Sequence, residues 1–310
     1  MSTVLSIQNI SKTYGMVKAL QDVSFSVPAG TVFGILGPNG SGKTTLLGIV
    51  MDILKPTAGN YSWNGEAATD AVRKQIGTLL ETPNFYHYLS AEDNLKIAAK
   101  IKGRGEEDIP KVLELVNLYQ RRHSKFNTYS LGMKQRLAIA STLLGDPDVL
   151  VFDEPTNGLD PAGIAEIREL IKELNRKGKT IIIASHILDE VEKVCTHVAI
   201  IQKGVLKAVG SVRDVMAVSA GDGQQRASII IEISAADNAG LRNAVQAMNG
   251  VQEIEVSDGG GLLVTCDESI SGATVNRYCF EKGIVLDKLN VKRKSLETRF
   301  LEITGKQSDR

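Results

Sequence analysis

The sequence predicts an α/β protein built on a largely parallel sheet, followed by a smaller α+β domain. Three observations carry this. From residue 4 to about 210, short β-branched runs alternate with longer helical patterns, the rhythm of strand-helix-strand units. Three of those runs, VFGIL at 32–36, DVLVFD at 148–153 and KTIIIAS at 179–185, are largely apolar throughout, as strands covered on both faces are. Beyond residue 226 the order changes to strand, helix, strand, strand, helix, strand.

In chain order, VLSIQNI after Met1 has no charged segment leading into an apolar one, so no signal peptide is expected. The segment from Ser90 to Gly145 interrupts the alternation: it opens with a capping box at Ser90 and Asp93 and holds no clear strand, which predicts an inserted helical subdomain over about 90–145. SAGDGQQR at 219–226 reads as a linker and divides a first domain, 1–218, from a second, 227–304. The second is expected to run strand 228–234, helix 236–248, strand 251–256, strand 261–266, helix 271–282 and strand 284–291, the βαββαβ order of ferredoxin-like domains. A last helix covers about 295–303. Apolar runs such as TIIIAS at 180–185 fall short of the ~20 residues that a membrane-spanning helix needs.

The 310 residues are 43% apolar, and 36 Lys+Arg balance 36 Asp+Glu to a net charge of +0. A soluble globular chain of about two domains fits, and no whole-chain electrostatic case exists for nucleic acid or an anionic membrane surface. Cys195, Cys266 and Cys279 are far apart and lack metal-ligand spacing, as suits a reducing compartment.

Chemistry concentrates at the ends of the three apolar strands, where open α/β sheets bind ligands. Gly37, Pro38, Asn39, Gly40, Ser41, Gly42, Lys43 and Thr44 spell GPNGSGKT between the strand VFGIL and the helical run TTLLGIV. Glycines there let backbone N–H groups turn inward around phosphates, Lys43 neutralises the β- and γ-oxygens, and Thr44 offers a hydroxyl to Mg2+. Asp153 and Glu154 end the second strand, Asp153 placed to hold the metal and Glu154 to polarise an attacking water; the alternative is a solvated acidic turn. His186 follows the third strand, within reach of the same γ-phosphate or in a purely structural role. Ser130 and Gly132 precede another helix, which is either a second anion site, offered to a partner's nucleotide, or simply a capped helix.

Over residues 1 to about 215 this motif series resembles the nucleotide-binding subunit of ATP-binding-cassette (ABC) transporters. The resemblance implies a P-loop NTPase cassette in which Gly37 to Thr45 form the Walker A loop, VLVFDE at 149–154 the Walker B strand and Ser130 to Gln135 the signature region. Asn157 to Asp160 would form the D-loop, with Asp160 at the nucleotide interface. His186 would be the switch histidine, and Tyr14 the aromatic that stacks on adenine. Two departures stand out: YSLGM at 129–133 replaces the usual LSGGQ, and Glu81 occupies the place of the Q-loop glutamine, where a carboxylate adds charge toward Mg2+. Glu81 followed by Pro-Asn-Phe-Tyr is similar to the bacitracin-resistance and lantibiotic-immunity type.

The resemblance further implies an ATP hydrolase using ATP and Mg2+, with two copies, or one copy and a homologous subunit, closing head to tail on ATP. It implies a separate multispan permease, export as the direction of that subgroup, and a cytoplasmic location on the inner face of the membrane. Phe85, Tyr86 and Tyr88 would belong to the surface that receives a permease helix. The C-terminal domain is expected to serve dimer contact or regulation. The rival reading is a soluble ABC ATPase acting on ribosomes, DNA or protein complexes.

Overall fold

The computed structural model describes residues 2–67, 69–80, 84–217, 228–257, 259–267, 269–293 and 296–304. Glu81 and the linker stretch at 219–226 lie outside the described residues. Contacts divide the chain into two compact units, Met1–Val212 and Arg213–Arg310.

The first unit opens with a hairpin of β1 (Thr3–Tyr14) and β2 (Val17–Pro28). Gly15, at φ 56°, supplies the left-handed backbone that so short a connection demands. Val23, Phe25 and Val27 are buried and alternate with exposed residues, so one face of β2 points into the core. There Phe25 stacks on Phe33 with ring centroids 5.4 Å apart. The strand β3 (Val32–Leu36) leads into α1 (Lys43–Val50). After it come β4 (Ala58–Trp63), β5 (Glu66–Ala67), α2 (Asp70–Lys74) and β6 (Ile76–Leu79).

Between β6 and the next strand the chain is helical: α3 (Ala91–Lys102), α4 (Ile109–Leu115) and α5 (Leu131–Thr142), with short 3-10 turns. Ser90 Oγ accepts from the Asp93 amide at 3.1 Å and donates to the Asp93 carboxylate at 2.6 Å, and Gly103 ends α3 at φ 71°. The rest of the unit is β7 (Val149–Asp153), α6 (Pro161–Arg176), β8 (Thr180–Ser185), α7 (Leu188–Val194), β9 (His197–Gln202) and β10 (Val205–Ser211). The helix α8 (Val212–Ala217) follows.

Among the described residues these strands form two sheets. One is six-stranded in the order β10-β9-β3-β8-β7-β6; it is parallel from β9 to β6, with β10 antiparallel at the edge. Every residue of β3, β7 and β8 is buried, which explains their apolar sequences. Ile167, Leu170, Ile171 and Leu174 of α6 are buried at helical spacing. The other sheet, β2-β1-β4-β5, is antiparallel. The strand-helix alternation did not foretell it, because antiparallel neighbours join through tight turns and need no crossover helix. Trp63, 1% exposed on β4, donates its indole N–H to Val50 O at 3.0 Å and so ties this sheet to the end of α1.

The second unit contains β11 (Ser228–Ala235), α9 (Asn238–Gln246), β12 (Val251–Val256), β13 (Leu262–Asp267), α10 (Gly272–Glu281), β14 (Leu286–Arg293) and α11 (Leu296–Thr304). Its antiparallel sheet runs β12-β13-β11-β14. Ile231, Ile233, Leu241, Val245, Val264 and Val275 form its core.

Candidate functional site

Because β3, β7 and β8 are parallel neighbours, their carboxyl ends open on one edge, and the residues that follow each strand meet there. After β3 the chain turns through Gly37–Gly42. A Cβ on Gly37 would lie 2.2 Å from Ile201 O, and one on Gly42 would lie 2.6 Å from Ala19 O. Gly42 also has φ 107°, a backbone that only glycine adopts without cost. The loop is pinned by the Ser41 amide on Pro38 O at 3.1 Å and by the Gly204 amide on Ser41 O at 2.9 Å. Gly40 turns at φ 76° with open space where a Cβ would stand. The first turn of α1 has no side-chain cap and no acidic residue. Its free N–H groups therefore present a positive concavity. Ser41 Oγ is buried with no hydrogen-bond partner, and Pro38, Asn39, Thr44 and Thr45 line the open rim, from exposed to half-buried; an anionic ligand fits such a cradle.

Lys43 is 5% exposed. Its ammonium donates to Gly37 O at 2.8 Å and Pro38 O at 3.3 Å and stands 3.5 Å from Glu154 Oε1. The other Glu154 oxygen lies 2.8 Å from His186 Nδ1. Lys43, Glu154 and His186, from three strand ends, thus form one connected group. Glu154 has φ 47°, a left-handed backbone held partly by its amide donating to Ala184 O at 2.9 Å. Such a conformation costs on the order of 1 kcal/mol and persists where surroundings dictate it. Asp153, buried at 5% exposure, ends β7 beside it. With the exposed Thr44 hydroxyl it makes a set of hard oxygen donors that fits Mg2+, a cation that takes one or two protein ligands and leaves its other positions to water and phosphate.

Tyr14 is 45% exposed at the end of β1 and pairs with Val17; β2 then runs under the loop at Ala19 and Leu20. Lys12 Nζ sits 4.9 Å from the Tyr14 ring centroid. Sequence reading missed Lys12, although its i, i+2 spacing on a strand puts it on the same face.

Ser130 and Asp160 lie in a different group. Each is a helix cap: Ser130 Oγ accepts from the Met133 amide at 3.3 Å, and Asp160 Oδ1 from the Gly163 amide at 2.9 Å. With Gly132, Gly158 and Leu131 they wall a cleft of about 400 Å3 that contains none of residues 37–45. A Cβ at Gly132 would meet nothing within 4 Å, while one at Gly158 would come within 3.3 Å of Leu131 Cδ2.

The family model for ABC transporters matches residues 20–157. An uncharacterized ABC transporter ATP-binding protein, YhcH of Bacillus subtilis, is 37% identical over 100% of this chain and 98% of its own. The chain belongs to the ABC transporter ATP-binding proteins. The bacitracin transport ATP-binding protein BcrA of Enterococcus faecalis is 32% identical over 98% of this chain and 97% of its own. The lantibiotic transport ATP-binding protein SrtF of Streptococcus pyogenes is 40% identical over 65% and 88%. Among solved structures, cbiO1 of Clostridium perfringens, part of the cbiONQ ABC transporter complex, superimposes with a TM-score of 0.64 at 30% identity, covering 70% of this chain and 92% of that one. The ATP-binding cassette MJ0796, dimeric in a post-hydrolysis state with ADP and Pi, has a TM-score of 0.59 at 27% identity, covering 67% and 99%. This ABC subunit is accordingly an ATP-binding and ATP-hydrolysing component of a transporter. No helix among the described residues is long and apolar enough to cross a membrane.

Proposed function

We propose that this ABC ATPase powers a separate multispan permease by closing on ATP against a second copy of itself or a homologous subunit, and reopening after hydrolysis. The observation that carries this reading is the division of its nucleotide-facing residues into two places. One is the Lys43–Glu154–His186 group under the loop 37–45; the other is the Ser130–Gly132–Asp160 cleft, which shares no wall with that loop. Two chains set head to tail would complete each site with the other's cleft. The dimeric MJ0796 cassette is consistent with such pairing.

In this scheme the loop amides and Lys43 bind the β- and γ-phosphates, Tyr14 stacks on adenine, and Ser130, Gly132 and Asp160 face the partner's nucleotide. Thr44 and Asp153 would hold Mg2+, which would neutralise phosphate charge; Glu81, the further oxygen donor that the family resemblance implies, lies outside the described residues. Glu154 draws a proton from the attacking water, and His186, hydrogen-bonded to it, orients the carboxylate and faces the γ-phosphate. Phosphate entering the cradle competes with Glu154 for Lys43, freeing the carboxylate to act as base.

Coupling to transport requires a surface that the permease can grip. A groove of about 370 Å3 lined by Asn84, Phe85, Tyr86, Asn94, Ile97 and Ile101 offers one. Tyr86 is held by a two-way pairing of its amide and carbonyl with Asn94, while Ile101 is 81% exposed. We assign this face of the helical subdomain, with Tyr88 beside it, to a cytoplasmic helix of the permease; the subunit then sits on the inner face of the membrane. The names of the bacitracin and lantibiotic relatives support a transport role and lend nothing to a ribosomal or DNA-directed one; export is proposed from the resemblance to that subgroup. The second unit, proposed as a ferredoxin-like domain, is assigned to homodimer contact ahead of regulation.

Affinity purification of this chain from detergent-solubilised native membranes tests the proposal. Recovery of a multispan membrane protein is the expected result. Recovery of ribosomal or DNA-bound partners in its place would overturn it.

A further inference from the structure

We propose that Thr156 and Glu190 are positioning residues for hydrolysis: their hydrogen bond joins the segment carrying Glu154 to the segment carrying His186 and so holds the Glu154–His186 pair in register. The inference rests on the reading of Glu154 as the base.

The two strands involved are neighbours, with Asp153 of β7 opposite Ala184 of β8. Past that point their chains part. One turns through Pro155 and Thr156 toward α6; the other passes through His186 into α7. Two side-chain links cross the gap. The first is His186 Nδ1 to Glu154 Oε2 at 2.8 Å, which is partly exposed and belongs to the reacting site. The second lies behind it, where the Thr156 hydroxyl donates to Glu190 Oε2. Thr156 is 6% exposed, so its hydroxyl depends on a partner within the protein. The bond joins a hydroxyl to a carboxylate and sits on the wall of a small pocket of about 20 Å3 lined also by Ile171, Ile183, Val191 and Val194, with Arg168 and Ser185 on the same wall. Ser185 there already accepts from the Ile187 amide at 3.1 Å, and the Thr156 hydroxyl is given to Glu190.

Glu190 is well placed to serve as a fixed point. Its neighbour Val191 is 3% exposed, and α7 packs so closely on β3 that a Cβ at Gly34 would come 2.8 Å from Val191 Cγ1 and 3.1 Å from Cys195 Sγ. Glu190 stands in the first turn of α7, four residues beyond His186, and Thr156 two residues beyond Glu154. A shift at either end therefore reaches the catalytic pair directly. Glu154, moreover, holds a left-handed backbone at φ 47°, which its surroundings must maintain.

The test measures ATP turnover by the full chain for Thr156→Val and Glu190→Leu, each with its conservative counterpart, Thr156→Ser and Glu190→Gln, and with Glu154→Gln alongside. The disruptive variants are expected to lose ~10- to 100-fold in kcat, the scale of an ångström's misplacement, with KM for ATP within about twofold of wild type. The counterparts recover most of kcat, since serine still donates and glutamine still accepts. In a His186→Ala background, where the pair no longer exists, Thr156→Val should add less than about twofold, as sites acting through one group do not add. Normal kcat in both disruptive variants, an undiminished loss in the His186→Ala background, or failure of both counterparts to recover activity would overturn the proposal. Slow turnover in Glu154→Gln with normal Thr156→Val rejects the positioning role alone, whereas normal turnover in Glu154→Gln rejects the assignment of the base and this inference with it.

Discussion

Replacing Glu154 by Gln removes one charge and little else. The side chain keeps its length, the backbone keeps its φ of 47°, and an amide can still hydrogen-bond His186 across the 2.8 Å now spanned by the carboxylate. Lys43 loses a negative partner at 3.5 Å, a gross attraction of about 5 kcal/mol at an effective dielectric constant of about 20, much of it offset by the desolvation of both groups. Lys43 retains its bonds to Gly37 O and Pro38 O, and the incoming γ-phosphate no longer competes with a carboxylate for it. ATP affinity in Glu154→Gln is therefore expected to equal or exceed that of wild type. Turnover should fall by ~10^2- to 10^4-fold, the usual contribution of a general base, which corresponds to about 3 to 5.5 kcal/mol in the barrier. Equilibrium binding of ATP and steady-state phosphate release, measured on the same preparation, separate the two effects. Turnover within about threefold of wild type would show that another group activates the water; a parallel collapse of ATP binding would show that Glu154 supports the cradle rather than the chemistry.

Gly37→Ala should abolish measurable ATP binding and lower stability by ~1 to 3 kcal/mol, read by nucleotide titration and thermal melting, because its Cβ would fall 2.2 Å from Ile201 O. Burial, aided by Arg104, pushes the Lys102 amine down to about 8, below the ordinary lysine value of its unfolded form. The unfolded chain thus binds more protons between about pH 8 and 10.5, so this group's contribution makes stability rise with pH through that window; melting curves of Lys102→Met against wild type should show a shallower rise. Burial raises the thiols of Cys195, Cys266 and Cys279, that of Cys266 to about 11 with help from Asp267. All three are buried, so a thiol-disulfide reagent at pH 8 should label none in the native protein and all of them after denaturation.

GPNGSGKT could be read directly because its requirements are local: an uncapped helix start, a left-handed Gly42 and a lysine one residue later need only consecutive residues. The same holds for the buried strands β3, β7 and β8, whose unbroken apolar composition states their environment. The pairing of β1 with β4 was not legible, since it joins residues far apart in sequence, from Ser11 with Ala58 to Leu5 with Trp63, and local periodicity does not name a partner. Tyr14 illustrates a middle case. The family resemblance implied stacking, whereas its exposure and the Lys12 ammonium over its ring follow from where the hairpin ends.

By itself the sequence picked out the residues proposed to carry the chemistry: the phosphate loop, the carboxylates at the end of β7, the histidine after β8 and the serine and aspartate that cap α5 and α6. Tertiary structure decided the contacts by which they group. Parallel neighbours in the order β3-β8-β7 bring Lys43, Glu154 and His186 into contact, whereas Ser130 and Asp160 gather in a separate cleft. Which strand ends meet is a matter of sheet order, which depends on long-range burial across the whole unit and leaves no trace in the spacing of the motifs.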